Sequence, residues 1–306
     1  MAKKEQLTPV YILGPGALGL AFAKLFSEHR PVTLLTKAYH PQDYQYTYQG
    51  YSEPLQVQCI PSPSGEQAPQ QKIGELWLFT KAHQALEALT TLLPALKKDA
   101  QIIISHNGMS DLNELNRLLG PQQALYFMLT QQAAYKPAPD QVVHVSLGPS
   151  TLGAANQAAE KSLATQLLLW QRQIPNLVGS DNIHRARWQK LLVNLAINPV
   201  ATWQQQRNGA LRAPEYASDI MALVHEAITV AKAQGLEFSL VQALNLAYMV
   251  MAQTADNRCS MLQDRLLGRE TEIDAMCGYV YKTAQQLGLA APVNQLYYQR
   301  IKGDRP

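Results

Sequence analysis

"ILGPGALGLAFAKLF" (residues 12–26) joins an apolar run to a glycine turn and then to a helical pattern, and the rest of the chain is read outward from it. Gly14, Gly16 and Gly19 stand in the G-x-G-x-x-G spacing, straight after a strand signal and at the opening of a helix. The spacing alone is a weak pattern. Its position adds weight, because the glycines permit a tight turn and close backbone approach while the helix N-terminus offers free N–H groups to a pyrophosphate. Pro15 removes one such donor, and the amides of Ala17 and Leu18 remain. A glycine-rich strand–helix turn with no ligand is the competing reading.

Downstream, "VTLL" (32–35), "LQVQCI" (55–60), "LWLFT" (76–80) and "QIIIS" (101–105) repeat the strand signal, as "PVYIL" (9–13) does upstream. Amphipathic segments such as "AHQALEALTTLLPALKK" (82–98) lie between several of them. This alternation predicts an α/β half with a parallel, helix-covered sheet of Rossmann type. The Tyr/Gln-rich tract "HPQDYQYTYQGYSEP" (40–54) reads as a loop or irregular edge. "LYFML" (125–129) and "VVHVSLG" (142–148) predict further strands, and 154–173 a helix. The strand signals then stop. "DNIHRARWQKLLVNLAINP" (181–199), with Asp181 as candidate N-cap and Pro199 as terminator, opens an all-helical half that continues through 214–235, 239–256 and 271–288. The expected division is 1–180 and 181–306.

The bulk numbers set the class. The 306 residues fit two domains better than one, and 47% hydrophobic content is ordinary for a globular protein. Net charge is +3, from 26 basic and 23 acidic side chains, with no Lys/Arg run longer than two, which argues against nucleic acid as a partner. No stretch reaches the roughly 18–20 apolar residues of a membrane span, and the N-terminus lacks an apolar signal region. Three dispersed cysteines argue against a disulfide framework or zinc site and fit a reducing cytosol, so a cytoplasmic protein without membrane or metal is expected.

An NAD site would place an acid at the end of the second strand for the ribose 2′-OH; here Lys37 stands there, suited to a 2′-phosphate, and the cofactor reading moves to NADPH. Lys81 of "LFTKAHQ" and Asn107 of "IIISHNGMS" fall at strand C-terminal ends, where open α/β sheets bind ligands. Lys81 is equally readable as a solvated loop charge, and "HNG" as a turn chosen for its Asn-Gly geometry.

The helix "KLLVNLAINP" (190–199) carries Lys190, Asn194 and Asn198 at i, i+4 and i+8, with apolar residues elsewhere before Pro199. Each step advances about 40° and climbs about 6 Å, so the three form one polar stripe. Burying an unpaired carboxamide costs about 1–3 kcal/mol, and an ammonium more. The stripe therefore faces partners at helix ends, with Lys190 reaching solvent along its own stem, or it faces a wet cleft. In a cleft, Lys190 is a candidate general acid for ketone reduction, stabilising the growing charge on the carbonyl oxygen and supplying its proton.

With these motifs in place, the chain resembles the 2-dehydropantoate 2-reductase (ketopantoate reductase) family over nearly its whole length. "GPGALG", "TKAHQ", "SHNGMS", "RWQKLLVNLAINPVAT", "NGAL" and "SMLQDRLLGRETEID" come in the family's order and approximate spacing. The resemblance implies reduction of ketopantoate to (R)-pantoate by NADPH, on the way to pantothenate and coenzyme A, in a cleft between the two domains. It implies Lys190 as proton donor, Asn194, Asn198 and Asn208 as substrate contacts, and Ser260 as the group for the substrate carboxylate. Glu272 would complete the site at the substrate–cofactor junction. Lys37, Lys81, Asn107 and Ala134 would line the NADPH side, with Asn107 also touching substrate. The protein would act as a monomer or homodimer. Local physics offers a rival account of Glu272, since Thr271 and Asp274 read as a capping box with Glu272 in a first helical turn. Departures from the family pattern are Pro15, Lys rather than Arg at 37, and "EHRPV" (28–32), where a glycine commonly precedes the second strand. A sister reductase for another 2-oxo acid, or a non-catalytic NADP(H) sensor, are the alternatives.

Overall fold

The computed structural model describes residues 8–36, 43–62 and 72–303. The chain divides into two units: Met1–His106 with Asp111–Ile183, and Asn107–Ser110 with His184–Pro306.

In the first unit, β1 (Val10–Leu13), α1 (Ala17–Ser27) and β2 (Val32–Thr36) follow the pattern read from the glycine turn. Next come β3 (Tyr44–Tyr48), β4 (Tyr51–Leu55), β5 (Gln58–Pro61) and β6 (Ile73–Leu78). Helix α2 (Ala85–Leu92), β7 (Leu96–Ile104), α3 (Leu112–Arg117) and β8 (Ala124–Thr130) extend the alternation. The unit ends with β9 (Ala133–Tyr135), β10 (Gln141–Ser146), β11 (Ser150–Ala154), α4 (Gln157–Gln171) and β12 (Leu177–Ser180). Eight strands form one sheet in the order β12-β11-β8-β7-β6-β1-β2-β5. All neighbours in it are parallel except β11 and β8.

The helix expected over 82–98 is shorter. It closes in a 3-10 turn at Leu93–Ala95, and β7 already begins at Leu96. Pro94 lacks the N–H that a continuing helix needs.

The described part of the Tyr/Gln tract, from residue 43, is no loop. β3 and β4 form a hairpin turned at Gln49 and Gly50, both with positive φ, inside a second sheet of order β4-β3-β10-β9. Tyr44 and Tyr46 point inward and are buried, alternating with Gln45 and Thr47 in the period of two that a half-buried strand requires. Helix α1 packs against strands of both sheets. This explains its nearly all-round burial, since a helix covered on two sides cannot carry a polar face.

One buried carboxylate ties this core together. Glu75 receives both arms of the Arg30 guanidinium (2.7 and 2.6 Å) and the indole N–H groups of Trp77 (2.7 Å) and Trp170 (3.0 Å). Phe26 packs against Trp77 with ring centroids 4.8 Å apart.

The second unit is helical: α5 (Ile183–Gln204), whose first residue belongs to the first unit, then α6 (Ala217–Ala233), α7 (Leu240–Gln253), α8 (Ser260–Leu266), α9 (Cys277–Gln286) and α10 (Pro292–Gly303). Helix α6 closes on Gly235 (φ +81), whose N–H bonds to the Lys232 carbonyl, as the glycine signal predicts. Pro199 does not end α5, which runs on to Gln204. A helix-interior proline costs about 3 kcal/mol. Here the following turn buries Val200, Ala201 and Thr202 completely, and that packing offsets the cost. Helix α5 starts at Ile183, one residue later than a cap at Asp181 would place it. No helix among the described residues is long and apolar enough to cross a membrane.

Candidate active site

In the first unit, the three loop glycines have three different reasons to be glycine. Gly14 has φ +96, and a Cβ there would lie 2.5 Å from the Phe79 carbonyl oxygen. A Cβ on Gly19 would lie 2.0 Å from the Gly14 carbonyl oxygen. A Cβ on Gly16 would meet nothing within 4 Å. The fold's own packing therefore requires Gly14 and Gly19 but not Gly16, which is exposed and opens α1 with no side-chain cap. The free space above Gly16 and the uncapped amides of the first turn, Ala17 and Leu18 among them, suit close approach of a phosphate. The chain fits a dinucleotide at this turn.

Lys81 follows β6 and leads into a 3-10 turn at Ala82–Gln84, on the same strand-end edge as the glycine turn. Ala134 lies in β9, half-buried, opposite His144. Lys37, on which the 2′-phosphate reading rests, lies outside the described residues.

In the second unit, the polar stripe of α5 is set in an apolar helix. Trp188, Leu191, Leu192, Leu195 and Ala196 are all buried, whereas Lys190 and Asn194 keep partial access to solvent. Asn198 is deeper, at 6% exposure, with its Nδ2 3.6 Å from the Met276 sulfur. Burial pulls the Lys190 ammonium down to about 8, and the negative charge of Glu272 opposes that shift.

Glu272 is fixed by a partner distant in sequence. Asn107 Nδ2 donates to Glu272 Oε2 at 3.1 Å, and Met109 N–H donates to the Ala275 carbonyl at 2.7 Å. Gly108, with φ +72, lies so close to Ala275 that a Cβ would meet its carbonyl oxygen at 2.5 Å. "HNG" is thus both a turn that needs glycine and the source of the carboxamide that bonds Glu272. The buried Arg187 supports the same segment by donating to the Ser110 carbonyl at 2.9 Å. Its place one turn before Lys190 extends the stripe backwards, a signal in the sequence that reading from Lys190 onward misses.

The capping-box account of Glu272 fails. The turn Ile273–Ala275 starts after Glu272 with no side-chain cap. Asp274 instead accepts from Lys302 (2.6 and 2.8 Å) and Tyr298 (2.9 Å). Burial would raise its carboxyl, but these donors outweigh burial and hold it below its usual range. Charge-assisted bonds of this kind are about twice as strong as neutral ones, so the cation prevails over a cap.

The remaining expected residues lie in the same unit. Cys259 caps α8 through its sulfur (Leu262 N–H at 3.4 Å) and lies 3.8 Å from the Asn198 carbonyl, which leaves Ser260 exposed as the first residue of α8. Asn208, 7% exposed, donates to Thr254 Oγ1 at 2.9 Å, while its Oδ1 is buried without a hydrogen-bond partner. The structure thus joins Asn107 to Glu272, Glu272 to Lys190 by charge, and Asn198 to the residue before Ser260. It records no direct bond of Asn194 or Ser260 to the others.

Comparison with known proteins bears on the whole chain. Residues 10–157 match the family model "Ketopantoate reductase PanE/ApbA", and residues 182–304 match its C-terminal counterpart. A 2-dehydropantoate 2-reductase of Vibrio cholerae is 32% identical over 297 residues, 96% of each chain. Among solved structures, a 2-dehydropantoate 2-reductase from Bacillus subtilis, described as probable, superposes with TM-score 0.81 at 25% identity over 96% of this chain and 99% of that one. A D-mandelate dehydrogenase solved with NADH and anilino(oxo)acetate superposes with TM-score 0.88 at 21% identity, over 97% of both chains. At that identity the likeness is one of fold.

Proposed function

This chain belongs to the ketopantoate reductase (PanE/ApbA) family of NADP(H)-dependent oxidoreductases, and on that premise we propose that it reduces 2-dehydropantoate to (R)-pantoate with NADPH, Lys190 acting as general acid. The observation that carries the reading is the placement of Lys190, the ammonium of a polar stripe in an otherwise apolar helix, where burial pulls its pKa down to about 8. Such a group is still protonated at neutral pH, yet gives up its proton far more readily than an ordinary lysine. NADPH, held at the glycine turn, would supply a hydride for C2 of the ketone.

Every other part of the step belongs to side chains of this protein. As the C2=O bond is reduced, Lys190 stabilises the charge growing on the oxygen and transfers its proton there, so the alcohol leaves neutral at that atom. Glu272, held by Asn107, keeps the ammonium charged until that moment. Asn194 and Asn198 meet the polar groups of the substrate, and Asn208 presents the buried Oδ1 that lacks a partner. The exposed Ser260 hydroxyl takes the substrate carboxylate. Lys37 would serve the 2′-phosphate, and Lys81 and Ala134 the rest of the dinucleotide.

The test is loss of NADPH absorbance with purified protein and ketopantoate, beside pyruvate, 2-oxoisovalerate and NADH. Turnover confined to ketopantoate with NADPH is expected. Turnover on another 2-oxo acid alone would move the substrate assignment and keep the mechanism. Tight NADPH binding without turnover on any of them would sink the enzymatic reading. The superposition on a D-mandelate dehydrogenase makes the panel necessary, because one fold serves several substrates.

A further inference from the structure

Lys136, which follows β9, lies beside the glycine turn although 120 residues of chain separate them. Its Nζ donates to the Pro15 carbonyl at 3.2 Å and lies 5.6 Å from the centroid of the Tyr44 ring. It is half-buried, and burial lowers its pKa while the charge of Asp140 opposes the shift. Among the described residues no carboxylate pairs with it directly. An ammonium has three donor hydrogens, and the Pro15 carbonyl takes one. Withdrawing a cation partly from water without a salt-bridge partner is costly, and the position makes sense if an anion completes it.

The turn itself lacks a donor at this point. Pro15 has no N–H, so the G-x-G-x-x-G backbone offers one amide fewer than it would with any other residue there. The Lys136 ammonium stands at that same residue. We propose that Lys136 is a binding residue for the dinucleotide pyrophosphate, supplying at Pro15 the positive donor that the proline removes. This rests on the reading of the turn as an NAD(P)H site. Because the pyrophosphate is common to NADPH and NADH, Lys136 sets affinity for both and leaves the choice between them to the end of β2.

The experiment is equilibrium titration of NADPH, NADH and 2′-AMP into the full-length protein and into Lys136→Gln and Lys136→Arg, at low and high salt. In Lys136→Gln both dinucleotides should bind about tenfold more weakly, the loss of one charge-assisted contact. 2′-AMP, which carries no pyrophosphate, should be unaffected. Lys136→Arg should recover most of the affinity, and thermal unfolding of the ligand-free variants should match wild type. Affinity for NADPH should also fall less steeply with salt in Lys136→Gln, because a screened contact is gone. An unchanged salt dependence alongside weaker binding would reduce Lys136 to a brace on the turn and overturn the proposal. So would unchanged affinity in Lys136→Gln, or a loss confined to NADPH and 2′-AMP, which would place the ammonium on the 2′-phosphate. Wild-type protein that binds neither dinucleotide would overturn the cofactor reading itself, and this inference with it.

Discussion

Each unit sets a carboxylate and a cation against one another, fully buried in the first unit and half-buried in the second. Glu75 in the first unit is met by both arms of Arg30 and by two indole N–H groups, in a core where Arg30 and Glu75 are 5% and 4% exposed. In the second unit, Asn107 positions Glu272, and the charge of Glu272 only partly offsets the burial of Lys190. A buried carboxylate met by fixed donors of this kind holds a structure together. The half-buried Lys190, pulled down to about 8, sits near the range that acid–base chemistry at neutral pH needs.

The strongest way to break this comparison is Lys190→Ala. Turnover of ketopantoate should fall by about 10²–10⁴ while NADPH affinity stays within a few-fold of wild type, read by steady-state kinetics and direct titration. Near-normal turnover in a folded variant would remove Lys190 from its role. The complementary change is Glu75→Ala, which strands a buried guanidinium and should cost about 3–5 kcal/mol in chemical denaturation. The fraction that remains folded should keep its turnover number. Full activity loss in a fully stable Glu75→Ala protein would erase the distinction between the two regions.

The finest test is of pH. As the proposed acid, Lys190 must be protonated to donate, so kcat/KM should hold at neutral pH and decline as pH rises through about 8. Glu272 raises that pKa, so Glu272→Gln should shift the decline to lower pH; a limb that stays in place would uncouple the two groups. Stability runs in the opposite direction. The folded Lys190 pKa lies below its ordinary 10.5, so the folded state binds fewer protons than the unfolded between about pH 8 and 10.5. The cost of burying its charge is fully present below that window and is relieved as pH rises through it.

What the sequence discloses follows the range over which the physics acts. The glycine turn, the alternation of the first half and the helices of the second are written in local spacing, and the structure carries all three. The hairpin of β3 and β4 is written there too, in Tyr44 and Tyr46 alternating with Gln45 and Thr47. Tyrosine's polar end and Pro54 disguise it, and its parallel partner β10 begins almost 100 residues later. Pro199 misleads because local propensity favours a stop, whereas packing of the next turn decides the outcome. In the site, the stripe on α5 is legible from spacing alone. The hold of Asn107 on Glu272 spans 165 residues and leaves no local trace. The chemistry assigned to Ser260, Asn208 and Glu272 comes from resemblance rather than from periodicity.

The passage of Asn107–Ser110 into the second unit, before the chain returns to the first, bears on how such a protein can be recombined. A gene cut once near codon 183 and joined to a foreign partner would carry Lys190, Asn194, Asn198, Ser260 and Glu272 to the new chimera. It would leave behind the donor that orients the Glu272 carboxylate and the Gly108 that lets it come so close. A working exchange therefore needs two fragments, one of them four codons long, inherited together.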